Sequence, residues 1–246
     1  MTIRKCFSVI GYHNSGKTTL ISKMIPLLKG KGYSVSVIKH AKHMSLKDSD
    51  ILFSVGSDEV IALAEDFSLI YMRLEDLRSL MALVKSDILI LEGFKREPFP
   101  NLVRARDEKE ARELLNGLSI ACVLDEVRRK DVDGVPVFSP SDVSAIVDIA
   151  LERSFPPLML LNCGKCGEGD CRLMAEAILR GRRKPSECVA LPSRVTLKVN
   201  DVLIPLKPFV EDVFIALNTS LIKLLKEKPD RIVKVELKVE LSFPED

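Results

Sequence analysis

Short apolar runs alternate with helix-like stretches over about the first 150 residues of the chain. Several runs are apolar on both faces, which predicts an α/β fold whose mostly parallel sheet is covered by helices. Pro26 lies inside the first helical stretch and predicts a kink or an early end there. The predicted strands are Ile3–Ile10, Ser34–Ile38, Val60–Ala64, Ser68–Met72, Asp87–Leu91, Ser119–Leu124 and Val135–Phe138. The predicted helices are Lys17–Lys31, Glu75–Val84, Asp107–Asn116 and Ser141–Glu152.

The pattern changes at residues 153–157, where adjacent prolines predict a domain boundary. We therefore predict two domains, over residues 1–153 and 158–246, the second of them a small α+β domain. It begins with a cysteine-rich stretch, and Asn200-Asp201 predicts a hairpin turn within it. A helix is predicted over Phe209–Lys226. A half-exposed strand is predicted over Ile232–Leu241, because apolar and charged residues alternate there.

Composition excludes several classes of protein. The chain has 246 residues, of which 46% are hydrophobic and 29% are charged, as in an ordinary globular protein. A net charge of +2 gives no electrostatic reason to expect nucleic acid or a membrane as partner. The apolar runs are shorter than the roughly 18 residues of a membrane span, and the first leads into a glycine loop rather than a signal-peptide cleavage site. We expect a cytoplasmic protein, in which clustered cysteines bind metal more often than they form disulfides.

A glycine loop supplies the first candidate site. Residues 11–18, GYHNSGKT, match G-x-x-x-x-G-K-[ST], and they follow a predicted strand and open a predicted helix. In such P-loops, backbone N–H groups surround phosphate oxygens, the lysine contacts the β- and γ-phosphates, and the hydroxyl binds Mg²⁺. The alternative is a glycine turn without a ligand. The candidate nucleotide-binding residues are Gly11, Asn14, Ser15, Gly16, Lys17, Thr18 and Thr19.

Other candidates follow the neighbouring predicted strands. Four apolar residues lead to Glu92, which could hold a Mg²⁺-bound water or orient an attacking one; its alternative is a cap or a surface ion pair. His40 and His43 follow the second strand and could bind a metal or a phosphate, form a switch loop, or be merely exposed. The chain has no N-K-x-D motif for guanine, so Asp125, at a strand end, is the candidate for reading the base.

These motifs together resemble the MobB family, the GTP-binding adaptors of molybdopterin-guanine dinucleotide biosynthesis. The resemblance covers most of residues 3–150. It differs at Pro100-Asn101, where the family usually has Pro-Lys; if that lysine contacts the pterin or a partner, the contact is altered here, and Lys95 and Arg96 could substitute. The segments that carry the resemblance are His13–Leu20, Ile25–Leu28, Val37–His40, His43, Lys47–Ser49, Gly56–Val60 and Leu91–Lys95.

The resemblance implies roles for particular residues. Lys17, Thr18 and Glu92 would belong to the nucleotide and Mg²⁺ site, with Lys17 and Glu92 as catalytic candidates. His40, His43 and Asp48 would line the switch region near the γ-phosphate, with Asp48 as a third catalytic candidate. A homodimer is implied, and the preference for GTP rests on the resemblance alone.

Four cysteines form the second candidate site: Cys163, Cys166, Cys171 and Cys188. Four thiolates suit tetrahedral Zn²⁺. Three close thiolates on a glycine-rich loop, with a fourth beyond a helix, instead suit a [4Fe–4S] cluster. The spacing resembles the small [4Fe–4S] domain of corrinoid iron–sulfur proteins and of electron-transport ferredoxin subunits, so the cluster is favoured over zinc. Cys6 and Cys122 lie in apolar strands and are predicted to be core residues.

These sites lead to three functional hypotheses. The first is a GTP-dependent adaptor with slow GTPase activity in molybdenum or tungsten cofactor maturation. This adaptor would carry an iron–sulfur module and bind molybdopterin or its guanylyltransferase. The second is a redox-responsive P-loop metallochaperone NTPase. The third is a small-molecule kinase, for which the sequence reveals no phosphate-acceptor pocket. A basic group after the cluster helix could receive an anionic pterin or an acidic partner, or be a solvated helix end: Arg180, Arg182, Arg183 and Lys184.

Overall fold

The structure is a computed structural model that describes residues 3–40, 51–52, 54–55, 57, 59–63, 65, 68–72, 76–188, 195, 197–199, 202–204, 206, 208–226, 235 and 237. The strands are β1 (Lys5–Ile10), β2 (Val35–Lys39), β3 (Glu59–Leu63), β4 (Ser68–Met72), β5 (Ile88–Glu92), β6 (Asn101–Ala105), β7 (Ser119–Leu124), β8 (Asp131–Val132), β9 (Val135–Phe138), β10 (Leu197–Val199) and β11 (Val202–Ile204). The helices are α1 (Lys17–Gly30), α2 (Leu77–Leu83), α3 (Glu108–Leu114), α4 (Val143–Arg153), α5 (Cys171–Leu179) and α6 (Pro208–Leu224), with a 3₁₀ turn over Pro185–Glu187.

Seven strands form the main sheet, in the order β2-β5-β1-β6-β7-β9-β8. β8 pairs antiparallel with β9, and the other neighbours are parallel. The predicted α/β fold with a mostly parallel sheet is therefore confirmed. Because β2, β5 and β1 run the same way, the loops that follow them meet at one edge of the sheet, where ligands of such folds bind.

The core explains why the apolar runs are strands. β5 is buried along its whole length, and β1 and β7 are buried at every position but the first. Helices α1 and α4 cover one face of these strands with apolar side chains, as expected for strands inside a covered parallel sheet. The side chains that meet there include Phe7, Val9, Ile90 and Val123 of the sheet, Leu20, Met24 and Leu28 of α1, and Ile146, Val147 and Ala150 of α4.

Strand β6, which the apolar pattern missed, lies between β1 and β7. Two of its five residues are polar, yet all five are buried. The Asn101 side chain donates to Asn116 Oδ1 at 3.0 Å and accepts from the Ser119 hydroxyl at 2.9 Å. The Arg104 guanidinium donates to the Ala105 carbonyl at 2.6 Å. Neighbouring groups thus satisfy side chains that hydropathy alone would place on a surface.

Two further expectations need correction or refinement. Helix α1 continues through Pro26 to Gly30, so the early end is wrong. Pro26 and Ser22 are both exposed, which lets water satisfy the carbonyl that loses its intrahelical partner. Strands β3 and β4 form as predicted but pair only with each other among the described strands, as an antiparallel two-stranded sheet.

The chain divides into two compact units, Met1–Pro192 and Ser193–Asp246. The cysteine-rich stretch thus lies in the first unit, and the domain limits 1–153 and 158–246 stay a prediction. The second unit contains the predicted hairpin, in which Val199 pairs with Val202, and helix α6. Most of the predicted strand at 232–241 lies outside the described residues. Within the described part of the chain, no helix is long and apolar enough to cross a membrane.

Candidate nucleotide site and cysteine-rich loop

The glycine loop joins the end of β1 to the start of α1. A Cβ atom on Gly11 would lie 2.4 Å from both the Arg104 carbonyl oxygen and Ser15 Oγ, so the first position has no room for a side chain. Gly16 adopts φ +85°, a left-handed conformation that favours glycine, and immediately precedes the helix. The fixed glycines of the motif are therefore required by the local geometry.

Replacement of Gly11 by alanine is expected to destabilise the protein by about 1–3 kcal/mol, because the added Cβ meets backbone of β6 that cannot move away cheaply. Gly30→Ala is the matched control, since nothing lies within 4 Å of a Cβ there. Urea unfolding of both variants measures the difference. Equal free energies of unfolding for the Gly11 variant and the unmodified protein would contradict this account.

The Lys17 side chain reaches back from the start of α1 to the glycine loop, where its ammonium group donates to the Tyr12 carbonyl oxygen at 2.6 Å. Burial lowers the pKa of Lys17; the charges of Lys95 and Lys39 act in the same direction and the charge of Glu92 opposes them. The ammonium groups of Lys95 and Lys39 thus lie close enough to Lys17 to repel its charge. Such a cluster at a helix N-terminus suits a polyphosphate.

Thr18 and Glu92, the two predicted Mg²⁺ ligands, lie side by side. Glu92 ends β5 and is only 7% exposed. Its Oε1 atom accepts from the Thr18 hydroxyl at 2.7 Å and lies 2.9 Å from Lys39 Nζ. Lys39 Nζ also donates to Thr18 Oγ1 at 3.0 Å. Sequence reasoning assigned no role to Lys39, although its position as the last residue of a strand at this edge is a signal that could have been used.

His40 also lies at this edge, while two other candidates cannot be placed. The His40 N–H donates to the Glu92 carbonyl at 3.1 Å, and its ring meets Phe94 edge to face, with 5.6 Å between centroids. Gly93, between Glu92 and Phe94, has φ +96°. His43 and Asp48 lie outside the described residues, so their roles stay predictions.

A cavity of about 190 Å³ adjoins the loop on the side of β6. Arg104 lies beneath the loop and donates to a carboxylate oxygen of Asp125, the candidate for reading the base. Ser15 Oγ is buried and has no hydrogen-bond partner among the described residues. An unsatisfied buried hydroxyl in a P-loop fits a site that awaits a polar ligand. The residues that line the cavity are Gly16, Thr19, Leu20, Lys23, Arg104 and Pro140.

Asn101, which stands where the MobB family usually has lysine, is only 2% exposed. It begins β6, three residues or about 10 Å before Arg104, and its side chain is bonded to Asn116 and Ser119. It therefore acts within the core of this chain. Of the two suggested substitutes, Lys95 lies beside the glycine loop, with Nζ 4.3 Å from the centroid of the Tyr12 ring.

The cysteine-rich loop has an unusual backbone. Five of its residues adopt positive φ: Leu160, Asn162, Gly164, Gly167 and Gly169. A Cβ on Gly164 would lie 3.1 Å from the Gly169 carbonyl oxygen, so the loop folds tightly on itself. Residues with positive φ let a tight loop point its N–H groups inward, an arrangement that suits an anionic group.

The four cysteines of this loop differ in exposure. Cys171 and Cys188 are buried, Cys166 is half-buried and Cys163 is exposed. Asp170 caps the helix that begins at Cys171, accepting from Leu173 N–H at 2.8 Å. Within the described ranges, no group of three or more His, Cys, Asp or Glu side chains is arranged to hold a metal ion.

The surroundings of Cys171 fit a ligand of an iron–sulfur cluster. Burial has the largest effect on the pKa of Cys171 and raises it. Hydrogen bonds from the Asn162 and Leu161 backbones lower this pKa, while the charges of the Cys163 and Cys166 thiolates raise it. The Asn162 N–H lies 3.4 Å from Cys171 Sγ. Backbone N–H groups bonded to sulfur, beside other thiols, are what tune such clusters. The residue types and the hydrogen-bonded loop therefore suit an iron–sulfur cluster, although the described side chains are not gathered around one metal position.

Arg183 links the loop to the segment before the fourth cysteine. Its guanidinium donates to Glu168 at 2.7 Å and to Glu187 at 2.9 Å. Arg180, from the same basic group, lies 3.5 Å from a carboxylate oxygen of Glu176. These two arginines have partners inside the chain, which favours the structural interpretation of the basic group over a binding surface.

The two candidate sites lie at opposite ends of the strands of the main sheet. Phe155 pairs with Cys6 near the start of β1, and Leu118 immediately precedes β7. Both pack in one apolar cluster with Cys171 and Cys188. The glycine loop follows the other end of β1, a strand of six residues and thus about 15–20 Å long. A ligand at one site therefore does not touch a ligand at the other.

The remaining two cysteines are core residues, as predicted. Cys6 and Cys122 are both fully buried. Burial raises the pKa of Cys6 well above its ordinary value, and burial together with the charge of Asp133 raises the pKa of Cys122 to about 12. Their thiols thus stay protonated and inert at neutral pH.

The mostly parallel sheet has a glycine loop after an inner strand, β1, with a lysine and a hydroxyl at the start of the following helix and a strand-end carboxylate beside them. Together these features define a P-loop nucleotide-binding protein. The family model MobB, "Molybdopterin guanine dinucleotide synthesis protein B", matches residues 6–125. Together with the relatives below, this shows that the chain belongs to the MobB family.

Known proteins resemble the chain over different lengths. An Escherichia coli "Molybdopterin-guanine dinucleotide biosynthesis adapter protein" is 30% identical over an alignment of 156 positions, which covers 57% of this chain and 88% of that protein. A "Putative molybdopterin-guanine dinucleotide biosynthesis adapter protein" of Methanocaldococcus jannaschii is 28% identical and is covered to 98%, over 96% of this chain. The crystal structure of molybdopterin-guanine biosynthesis protein B superposes with a TM-score of 0.51 at 28% identity, over 60% of this chain and 98% of that one.

A second family model, "Putative Fe-S cluster", matches residues 161–190, which include all four clustered cysteines. The predicted resemblances to MobB and to an iron–sulfur domain are thus both confirmed. The two matched segments lie on either side of the predicted boundary at residues 153–157.

Proposed function

We propose that this protein is a GTP-binding adaptor with slow GTPase activity in molybdopterin-guanine dinucleotide biosynthesis. The observation that carries the proposal is the convergence of Lys17, Thr18 and Glu92 at one edge of the sheet, in a chain of the MobB family. The matched MobB family and the relatives above are named for molybdopterin-guanine dinucleotide synthesis, which favours the adaptor over a metallochaperone or a small-molecule kinase.

Each residue of the site has a physical task in this proposal. The N-terminus of α1 and the loop N–H groups bind the β-phosphate, and the Ser15 hydroxyl gains an acceptor. Lys17 exchanges its Tyr12 carbonyl partner for phosphate oxygens and offsets the charge that develops as water attacks the γ-phosphate. Thr18 and Glu92 would hold Mg²⁺, which when bound neutralises phosphate charge.

The test is equilibrium binding of GTP and ATP to the purified protein by calorimetry, followed by GTP turnover. Saturable binding with a preference for GTP supports the proposal, and equal affinity for the two would overturn the guanine assignment. Molybdopterin or its guanylyltransferase is the proposed partner. A binding titration with each separates the adaptor from the metallochaperone, because a metallochaperone would bind neither.

The proposed cluster site uses Cys163, Cys166, Cys171 and Cys188. The tight loop and the hydrogen bond from the Asn162 backbone N–H to Cys171 Sγ support a [4Fe–4S] cluster, with Zn²⁺ as the alternative occupant. When bound, such a cluster supplies one-electron chemistry or cross-links the fold. Because the loop packs at the edge opposite the glycine loop, the cysteines serve the nucleotide site only through the protein between them.

The homodimer implied by the family resemblance is part of the same proposal. Strands β3 and β4 pair Ile61 with Ile70, so the two side chains share a face with Leu63. Their exposures are 62% for Ile61, 55% for Ile70 and 84% for Leu63. An apolar hairpin face of this kind suits a symmetric contact with a second copy of the chain.

Replacement of Ile61 by aspartate is expected to give a monomer, because two buried carboxylates would face each other across a symmetric contact. Sedimentation velocity measures the mass of the variant and of the unmodified protein. Val37→Asp, at an exposed apolar residue of a different sheet, is the control and keeps the dimer. A variant that sediments like the unmodified protein would place the dimer contact elsewhere.

A further inference from the structure

One ammonium group contacts both side chains proposed to hold Mg²⁺. Lys39 Nζ is 2.9 Å from Glu92 Oε1 and 3.0 Å from Thr18 Oγ1, and these two oxygens are 2.7 Å apart. We propose that Lys39 takes the place of the divalent cation in the nucleotide-free protein and that it must leave before Mg²⁺ enters. This inference rests on the proposed function of the site.

The backbone fixes this arrangement. Lys39 is the direct neighbour of Glu92 in the parallel pairing of β2 and β5. The next residue, His40, donates its N–H to the Glu92 carbonyl at 3.1 Å, which extends the ladder past the end of the strand. The Lys39 side chain therefore starts beside the carboxylate whether or not a nucleotide is present.

Exposure decides which of the partners can move. The Glu92 side chain is 9% exposed, whereas that of Lys39 is 49% exposed. A nearly buried carboxylate without a cation is costly, so Glu92 needs a positive partner in every state. The long lysine side chain can instead turn into solvent or toward phosphate oxygens, because half of it is already in water.

Two cations cannot occupy this place together, since they would repel each other at short range. Free Mg²⁺ must displace the Lys39 ammonium group, which belongs to the same chain and therefore stays close to Glu92. A nucleotide removes this obstacle, because its phosphates offer Lys39 another anion and bring further oxygen ligands for the metal. Lys39 is therefore a positioning residue that makes Mg²⁺ entry depend on the nucleotide.

The test uses the full-length, nucleotide-free protein and compares Lys39→Met with Lys29→Met, which removes the charge of another exposed lysine, in the last turn of α1. Thermal unfolding is followed without divalent cation, with MgCl₂ and with KCl at the same ionic strength. We expect Lys39→Met to unfold about 2–4 °C lower than the unmodified protein and MgCl₂, but not KCl, to restore it. The unmodified protein and Lys29→Met should not respond to MgCl₂.

Further variants make the result specific to the site. Lys39→Arg keeps the positive charge and should behave like the unmodified protein. Lys39→Met combined with Glu92→Gln removes the carboxylate, so its response to MgCl₂ should disappear. An unchanged unfolding temperature in Lys39→Met would overturn the proposal, as would an equal rise with MgCl₂ in the unmodified protein. Failure of the proposed function is a separate result, because it is lack of GTP binding by the unmodified protein.

Discussion

Replacement of Lys17 by alanine is expected to weaken GTP binding by about 100-fold, which corresponds to about 3 kcal/mol. The side chain now donates to the Tyr12 carbonyl within the loop, so its ammonium needs only to exchange that partner for phosphate oxygens. Burial and the charges of Lys95 and Lys39 lower the pKa of Lys17, so a bound polyanion relieves a repulsion among these charges. Calorimetric titration with GTP measures the loss.

The control for this variant is Lys29→Ala. Lys29 lies in the last turn of the same helix and is exposed, so its removal changes the net charge equally but leaves the loop intact. The fold of both variants is compared by circular dichroism. A Lys17→Ala protein that binds GTP as tightly as Lys29→Ala would show that the glycine loop is not the nucleotide site.

Replacement of Cys171 by serine is expected to abolish the iron–sulfur chromophore, with iron falling from about four atoms per chain to near zero. Cys171 is the buried thiol at the start of α5 that receives the Asn162 N–H, and serine fills nearly the same volume without a soft ligand atom. Protein purified without oxygen is examined by absorbance spectroscopy, and its iron and zinc are counted.

Two comparisons give this result its meaning. Cys122→Ala removes a buried thiol from the main sheet and should retain the chromophore. GTP binding should survive in Cys171→Ser, because the cysteine-rich loop packs at the edge opposite the glycine loop. Unmodified protein that is colourless and carries about one zinc per chain would show that zinc occupies the site.

Much of the fold followed from the sequence because its strands are buried on both faces. The apolar runs of β1, β5 and β7 are continuous, so the pattern located them to within two residues. Strand β6 was missed because its Asn101 and Arg104 are polar. Apart from the bond between Arg104 and the adjacent Ala105, their side-chain hydrogen bonds are with residues at least 15 positions away in the sequence, and no local pattern records such partners.

The candidate sites were predictable to the extent that their chemistry resides in residue spacing. The sequence by itself determined the glycine loop, the carboxylate at the end of a strand and the four cysteines, because each is recognised from residue types at particular positions along the chain. Only the tertiary structure decided that Lys39 contacts both Thr18 and Glu92, since this requires β2 to pair with β5 rather than with β1. It likewise decided that the cysteine-rich loop packs at the edge opposite the glycine loop, because apolar side chains of Leu118, Phe155 and α5 exclude water there.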